Sequence, residues 1–264
     1  GVALTKFLFW IKKNFKKKKI TEISAQRKLE GFRKINKTYK FPSFSTISGT
    51  GPNSAIIHYK ASDETNRTLK KGDLYLVDSG GQYSYGTTDV TRTISLDNNS
   101  NFIKEIYTRV LKGHIAVSDY KIKKNSKGSD IDQNARKFLK NAKLDYPHGT
   151  GHGVGYFLNV HEGPQALSKN NNVRLKPGMI ISNEPGYYKE GHFGIRIENL
   201  VYIKKNKFEE LTMAPIEKKL IKKKMLNKKE ISWLNRYHAK VKNNLYKFMN
   251  IKEKTNLIEA CSPI

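Results

Sequence analysis

The chain has 264 residues, of which 37% are hydrophobic and 11% aromatic, which excludes a disordered tail and favours one large folded domain. The single cysteine, Cys261, excludes an internal disulfide and favours a reducing compartment, so we expect a cytoplasmic protein. No apolar run approaches the ~20 residues of a membrane-spanning helix, and the lysine-rich stretch at residues 12–19 follows the apolar residues, the reverse of a signal peptide, so we expect no membrane partner.

The formal net charge of +27 would suit a polyanion ligand. The excess is almost all lysine and is spread along the chain, with short runs at residues 16–19 and 222–224. No recognisable nucleic-acid module accompanies it. Two interpretations stay open: solvated lysine faces, which we favour, and a polyanion surface. We expect no specific nucleic-acid partner.

Two helices are predicted at the start of the chain. The first has apolar residues close to helical spacing, namely Leu4, Leu8, Ile11 and Phe15. The second should run from about Ser24 to Asn36, with Leu29, Phe32 and Ile35 facing inward. Residues 41–59 are rich in Ser, Gly, Pro and Thr and predict loop with a short strand.

The segment LYLVDSGGQYSYGTTDVTRTI follows, at residues 74–94, and predicts two strands that each carry an aspartate, Asp78 and Asp89. Carboxylates in strands that otherwise look buried are costly unless they are paired or bind a metal. If the chain turns around Gly80 to Gly86, the two carboxylates can face one another across neighbouring strands.

Two more helices are predicted, at about Asn101 to Tyr120 and Ser129 to Ala142. The first places four apolar residues on one stripe: Phe102, Ile106, Val110 and Leu111. The second has acids in its first turn, as helix N-termini prefer. The glycine- and histidine-rich segment HGTGHGVGYFLNVHEGP, residues 148–164, comes next.

Two strand-like runs then appear, MIISNEPGYY and FGIRIENLVYI, and each carries a glutamate, Glu184 and Glu198. Arg196 shares a face with Glu198 and can orient an adjacent carboxylate. Helices and strands are segregated along the chain instead of alternating, so the pattern is α+β, with two half-domains of similar plan.

Four carboxylates and one imidazole thus come from separated parts of the chain: Asp78, Asp89, His152, Glu184 and Glu198. Four negative charges nearly cancel two divalent cations. Oxygen ligands with one nitrogen favour fairly hard metals, Mn²⁺ first, with Co²⁺ and Zn²⁺ as alternatives. Two such ions roughly 3.5–4 Å apart can turn a shared water into hydroxide and direct it at a carbonyl, which is hydrolysis.

Five segments resemble the catalytic domain of aminopeptidase P, the Xaa-Pro aminopeptidase family of the methionine aminopeptidase/prolidase/creatinase superfamily: GPNSAIIHY, LVDSGGQYSYGTTDVTRT, HGTGHGVGYFLNVHEGP, MIISNEPGYY and GIRIENL. The resemblance implies a pita-bread fold, two pseudo-symmetric α+β halves around a curved antiparallel sheet. The distance from His152 to His161, with the HEGP segment there, looks more like the three-domain cytosolic type than the shorter bacterial type. We therefore expect one catalytic domain at 1–264 with a C-terminal extension at about 214–264, two further N-terminal domains upstream, and a homodimer.

The resemblance also implies roles for the five candidate ligands. Asp78 would serve one metal, His152 and Glu184 the other, and Asp89 and Glu198 would bridge the two. Glu184 would also handle the proton of the nucleophile.

Three further histidines match active-site positions of the family: His58 and His161 near the reacting centre, and His148. Together with Arg196 and Glu184 they make up the predicted catalytic set. Tyr85 stands where relatives often have an acid, a departure that leaves the five ligands intact.

The leading hypothesis is a dinuclear metallo-aminopeptidase that removes the first residue from peptides with proline second. Prolidase or methionine aminopeptidase activity at the same site is an alternative. A protein-binding module without activity is a third, which the complete ligand set argues against. Trp233 and Tyr237 in the tail, one helical turn apart, are predicted to be packing residues.

Overall fold

The structure is a computed structural model that describes residues 1–264. Its six α-helices are α1 (Val2–Asn14), α2 (Glu22–Lys34), α3 (Asn101–Ser118), α4 (Gly128–Lys140), α5 (Lys228–Leu245) and α6 (Ile251–Ala260). Its strands are β1 (Tyr39–Phe41), β2 (Ile47–Thr50), β3 (Leu74–Ser79), β4 (Gln82–Tyr83), β5 (Gly86–Thr87), β6 (Val90–Ser95), β7 (Gly151–His152), β8 (Ala166–Leu167), β9 (Ile180–Asn183), β10 (Gly186–Lys189), β11 (Phe193–Arg196), β12 (Asn199–Lys204) and β13 (Lys207–Glu210). None of the helices combines the length and the apolar character needed to cross a membrane.

The four predicted N-terminal and central helices are present, with small shifts at their ends. Helix α2 begins early because Thr21 caps it: the Ser24 backbone N–H donates to the Thr21 hydroxyl, and the Thr21 N–H donates to the Ser24 hydroxyl. The helix ends at Lys34, so Ile35 lies beyond its inward face and is 75% exposed. The prediction that Ile35 faces inward was therefore wrong.

All strand pairs are antiparallel, and they form five small sheets. Each half of the chain contributes a three-stranded sheet, β2-β3-β6 in the first and β13-β12-β9 in the second. Helices and strands remain segregated along the chain, so the α+β prediction is confirmed. The predicted hairpin also forms, with Asp78 of β3 opposite Thr91 of β6.

Side-chain alternation on β3 decides which residues enter the core. Tyr75 and Val77 pack with α1 and α2 through residues such as Phe7 and Leu29. Asp78 therefore points to the other face of the sheet. One strand thus closes the helical core on one side and presents a carboxylate on the other.

The C-terminal helices belong to the largest core. Leu234 and Val241 of α5 pack there with Leu111 of α3 and Ile195 of β11, and all four are at most 1% exposed. The rings of Trp233 and Tyr237 lie 5.4 Å apart in the same cluster. The tail is consequently part of the folded unit that carries the second half.

Glu22, at the start of α2, is fully buried and holds the segment that carries His58. Its carboxylate accepts hydrogen bonds from the Thr50 backbone N–H at 2.7 Å, the Tyr59 hydroxyl at 2.8 Å and the Arg67 backbone N–H at 2.9 Å. A buried carboxylate is tolerated because these donors replace its lost hydration. Glu22 thereby ties the turn at residues 50–59 to the first helical layer.

Two buried histidines make stability depend on pH. Burial lowers the pKa of His114 on α3 and of His238 on α5 to about 3, from 6.5. Between these values the unfolded chain binds more protons than the folded chain, so their contribution to stability is present above pH 6.5 and is lost as the pH falls towards 3. Each pKa unit corresponds to about 1.4 kcal/mol.

We expect His238→Gln to flatten this dependence, because a glutamine oxygen can still accept the Ile216 N–H that His238 Nε2 accepts at 3.1 Å, and it cannot titrate. Urea unfolding at pH 7, 5.5 and 4 measures the effect. The free energy of unfolding should fall by a few kcal/mol less in the variant than in the parent. Parallel pH profiles for the two proteins would contradict the prediction.

Candidate functional site

A cavity of about 480 Å³ gathers residues from both halves of the chain. All nine residues of the predicted site line it: His58, Asp78, Asp89, His148, His152, His161, Glu184, Arg196 and Glu198. A larger cavity of about 650 Å³ lies beside α1 and α2, is lined mainly by apolar residues and contains only Asp89 of this set. The smaller cavity therefore contains the carboxylates and imidazoles that could bind metal ions or transfer protons.

Three of the four carboxylates lie at the ends of strands. Asp89 directly precedes β6, Glu184 directly follows β9 and Glu198 directly precedes β12. Each of the two predicted strand runs is thus broken: Pro185 ends the pairing of the first, and the second splits between Arg196 and Asn199. The expectation of two continuous strands was wrong. The breaks release these carboxylates from the ladder so that they turn towards one cavity.

The glycine before His152 allows this histidine to lie close to the carboxylates. A side chain at Gly151 would collide with the carbonyl of Ser182 on β9, so only glycine permits β7 to lie this close. The backbone N–H of His152 then donates to the Ser182 hydroxyl at 2.9 Å. The glycine-rich motif around His152 therefore serves close packing as well as a turn.

His152 Nε2 lies 3.3 Å from Asp89 Oδ2 and 3.4 Å from Glu184 Oε1. Its other ring nitrogen, Nδ1, is 2.9 Å from the Gly153 carbonyl, which can only accept, so Nδ1 carries the proton in the neutral ring and Nε2 is free to act as a ligand. Asp89, His152 and Glu198 each offer a ligand atom, and these atoms lie within 4.8 Å of one another.

The electrostatics of the carboxylates fit divalent cations. Burial and then the charges of Asp78 and Glu184 raise the pKa of Asp89 well above its usual range. Burial and then the charge of Asp89 do the same to the pKa of Glu198. Asp78 Oδ1 is buried without any hydrogen-bond partner. Without a cation, neighbouring buried carboxylates and an oxygen without a hydrogen-bond donor cost free energy. A bound hard cation would offset that cost, so the residues present fit a metal centre.

Arg196 is the cation beside these acids, and it is 2% exposed. Its Nη2 donates to Asp78 Oδ2 at 2.7 Å and its Nη1 to the Tyr188 hydroxyl at 2.6 Å. Glu198 is oriented instead by the Thr91 hydroxyl, which donates to its Oε2 at 2.7 Å. The arginine thus contacts a carboxylate on the distant β3 and makes no ion pair with its sequence neighbour Glu198.

The three predicted histidines occupy different places around the cavity. The ring of His161 lies 3.9 Å from that of His152, and both His161 and His58 are exposed. His148 Nε2 is 2.8 Å from the Tyr188 hydroxyl, and burial lowers its pKa to about 4. His148 is therefore neutral at pH 7 and fixes Tyr188.

Sequence reasoning did not identify Tyr188, whose hydroxyl joins His148 to Arg196. It also missed Thr91 as the partner of Glu198. The strand alternation that places Thr91 on the same face as Asp89 was the signal for it. No comparable signal exists for Tyr188, because its role depends on the packing of two strands.

Residues 1–205 match the profile of metallopeptidase family M24, and residues 205–264 match that of the C-terminal region of peptidase M24. The chain belongs to metallopeptidase family M24. M24 relatives extend over the whole chain: Xaa-Pro aminopeptidase 1 of Dictyostelium discoideum is 45% identical over 97% of this chain and 43% of that protein. This M24 chain therefore spans less than half of the length of this curated relative.

Solved structures give the same family likeness. The X-prolyl aminopeptidase of Caenorhabditis elegans, described as a cytosolic enzyme with a di-nuclear active site, has a TM-score of 0.95 and 37% identity, covering 100% of this chain and 45% of that chain. The prolidase of Pyrococcus furiosus has a TM-score of 0.71 and 32% identity, covering 80% of this chain and 60% of that chain. The expected pita-bread fold of M24 enzymes is thereby confirmed.

Proposed function

We propose that this M24 chain is the catalytic domain of a metal-dependent aminopeptidase that hydrolyses the bond between the first residue of a peptide and a proline in second position. The observation that carries the proposal is the approach of the ligand atoms of Asp89, His152 and Glu198 to within 4.8 Å, beside the unpartnered oxygen of Asp78. The names of the relatives, Xaa-Pro aminopeptidase and X-prolyl aminopeptidase, support the substrate class.

The proposal includes two divalent metal ions, with Mn²⁺ favoured over Co²⁺ and Zn²⁺. Asp78, Asp89, His152, Glu184 and Glu198 would hold them. When bound, the ions would lower the pKa of a shared water and polarise the scissile carbonyl.

The protein's own groups would orient the substrate and move protons. Glu184 Oε1 accepts the Ser182 hydroxyl at 3.0 Å, which leaves Oε2 to take the proton of the nucleophile. The exposed imidazoles of His58 and His161 would donate to the substrate carbonyl as negative charge develops on it. Neutral His148 would hold Tyr188 against Arg196, and Arg196 would fix Asp78.

Proline in second position calls for a dedicated site. The Xaa-Pro bond is a tertiary amide without an N–H, and the rigid ring lies next to the scissile carbonyl. A peptidase that recognises the N–H of the scissile amide by a hydrogen bond would lose that contact with proline. Discrimination would therefore come from a wall shaped for the ring.

We further propose that residues 1–264 form a single catalytic unit with a C-terminal part at about 214–264, that N-terminal domains precede it, and that the protein is a cytoplasmic homodimer without a membrane or a specific nucleic-acid partner. The greater length of the relatives supports further domains, and the cytosolic description of the Caenorhabditis elegans enzyme supports the cytoplasmic location.

The test is hydrolysis of an Xaa-Pro-Xaa peptide by metal-free protein before and after addition of Mn²⁺. We expect activity only with metal, and faster cleavage of this peptide than of an Xaa-Pro dipeptide or a methionine-first peptide. Preference for the dipeptide would replace the proposal by a prolidase, for which the Pyrococcus furiosus neighbour is the precedent. A protein that neither binds Mn²⁺ nor cleaves any of the three would be a binding module.

A further inference from the structure

Arg92, on β6, is completely buried and makes no ion pair with any acid, although it lies directly behind the site. Every nitrogen of its guanidinium donates to an uncharged oxygen. The acceptors are the carbonyls of Thr91, Glu198, Ala214 and Pro215, the side-chain oxygen of Asn199 and the hydroxyl of Tyr237. The distances run from 2.5 Å for the Glu198 carbonyl to 3.1 Å for the Pro215 carbonyl.

The burial of this arginine depends on its hydrogen bonds. Removing a cation from water costs several kcal/mol, and without a carboxylate partner only hydrogen bonds offset that cost. An apolar side chain would remove the donor from all six of these buried oxygens, and a buried acceptor without a donor is costly. Arg92 holds these acceptors in a fixed arrangement, which an apolar residue could not do. Its shortest hydrogen bond is the one to the Glu198 carbonyl.

Glu198 is fixed by hydrogen bonds from another strand. It lies in the break between β11 and β12, where no ladder partner fixes it, and its carboxyl group lies close to that of Asp89. Three contacts from β6 replace the ladder. Thr91 accepts the Glu198 N–H at 3.2 Å and donates its hydroxyl to the carboxylate at 2.7 Å, and Arg92 Nη1 donates to the Glu198 carbonyl at 2.5 Å.

We propose that Arg92 is a positioning residue that fixes the backbone of Glu198 and thereby sets the affinity of the site for divalent metal. The guanidinium is itself held by the C-terminal segment, through Ala214, Pro215 and Tyr237. The inference rests on the proposed metal centre, and it assigns a role to a residue that does not line the cavity.

The test compares Arg92→Lys with the parent protein in two measurements. In Mn²⁺ titrations of metal-free protein, we expect the variant to bind about 10–100-fold more weakly, the usual effect of removing a group that orients a ligand. In hydrogen exchange of metal-free protein, the Glu198 amide should exchange faster relative to the amides of β11. Lysine keeps the charge but cannot donate to Glu198 and the tail together.

Leu234→Ala is the matched control, because it weakens the core that contains Tyr237 without removing a hydrogen bond of Arg92, and it should cost about 2–5 kcal/mol of stability. The Mn²⁺ affinity of Leu234→Ala should stay within about threefold of the parent, whereas Arg92→Lys should lose at least about tenfold. Should Arg92→Lys fail to fold, Tyr237→Phe keeps the arginine, removes one of its acceptors, and should weaken Mn²⁺ binding in the same direction to a smaller extent.

Unchanged Mn²⁺ affinity and unchanged exchange of the Glu198 amide in Arg92→Lys would overturn the inference. Equal losses of affinity in Arg92→Lys and Leu234→Ala would also overturn it, since the effect would then follow stability alone. A parent protein that binds no Mn²⁺ would end the proposed function. The exchange measurement would then still decide whether Arg92 positions Glu198.

Discussion

Asp89→Asn is expected to lose hydrolysis of Xaa-Pro peptides by at least about 10³-fold in kcat/KM, and excess Mn²⁺ should not restore it. The substitution keeps the shape of the side chain but replaces a carboxylate ligand by a neutral amide at a position within 4.8 Å of the ligand atoms of His152 and Glu198. Metal ions supply several kcal/mol of transition-state stabilisation, and each ~1.4 kcal/mol is a tenfold change in rate. Steady-state assays over a range of Mn²⁺ concentrations measure the loss.

Asp97→Asn is the matched control for this variant. Asp97 is also an aspartate of the first half, but it pairs with Lys16 and Lys71 near the surface, at 3.2 and 3.3 Å, outside the cavity. Its activity should be close to that of the parent.

Metal-free Asp89→Asn should also be more resistant to urea at pH 7 than the metal-free parent, because the variant removes a buried charge that burial and the neighbouring acids disfavour. Loss of activity would then not reflect loss of folding. Full activity in the variant, or rescue by Mn²⁺, would exclude Asp89 from the metal centre.

Arg196→Met is expected to destabilise the metal-free protein by about 3–5 kcal/mol, because it leaves a buried carboxylate without its partner. The variant removes the hydrogen bond to Asp78 at 2.7 Å and the bond to Tyr188 at 2.6 Å, so both side chains lose their orientation. We also expect about a 10–100-fold loss of Mn²⁺ affinity. Urea unfolding without metal and Mn²⁺ titration measure the two effects separately.

Arg196→Lys provides the comparison, since it retains the positive charge without the planar fork that reaches two partners at once. Its stability should lie between those of the parent and Arg196→Met. Equal stability of the parent and Arg196→Met would show that Asp78 does not depend on the arginine.

Local sequence patterns were reliable wherever the physics is local. Helical spacing of apolar residues identified α1 and α3, acids in a first turn identified α4, and the predicted strand that carries Asp78 formed as β3. Failures occurred where an element ends. Ile35 continues the apolar spacing of α2, yet the helix stops one residue earlier and leaves it exposed.

The chemistry of the site was also readable from residue types. Acids amid apolar strand residues predicted a cost that only pairing or metal could offset, and the nine residues chosen on that basis and on family resemblance line one cavity. The hydrogen-bond partners of those residues could not be predicted from the sequence. Arg196 stands two positions from Glu198 but donates to Asp78, which is 118 positions away.

The sequence by itself determined the fold class, the family and the set of ionisable groups, because periodicity, composition and motif spacing are properties of neighbouring residues. Only the tertiary structure decided which oxygen each donor meets: Tyr188 between His148 and Arg196, and Arg92 behind Glu198. The reason is physical. A hydrogen bond forms or fails over a few tenths of an ångström, and that distance is set by how two sheets and the C-terminal helices pack together.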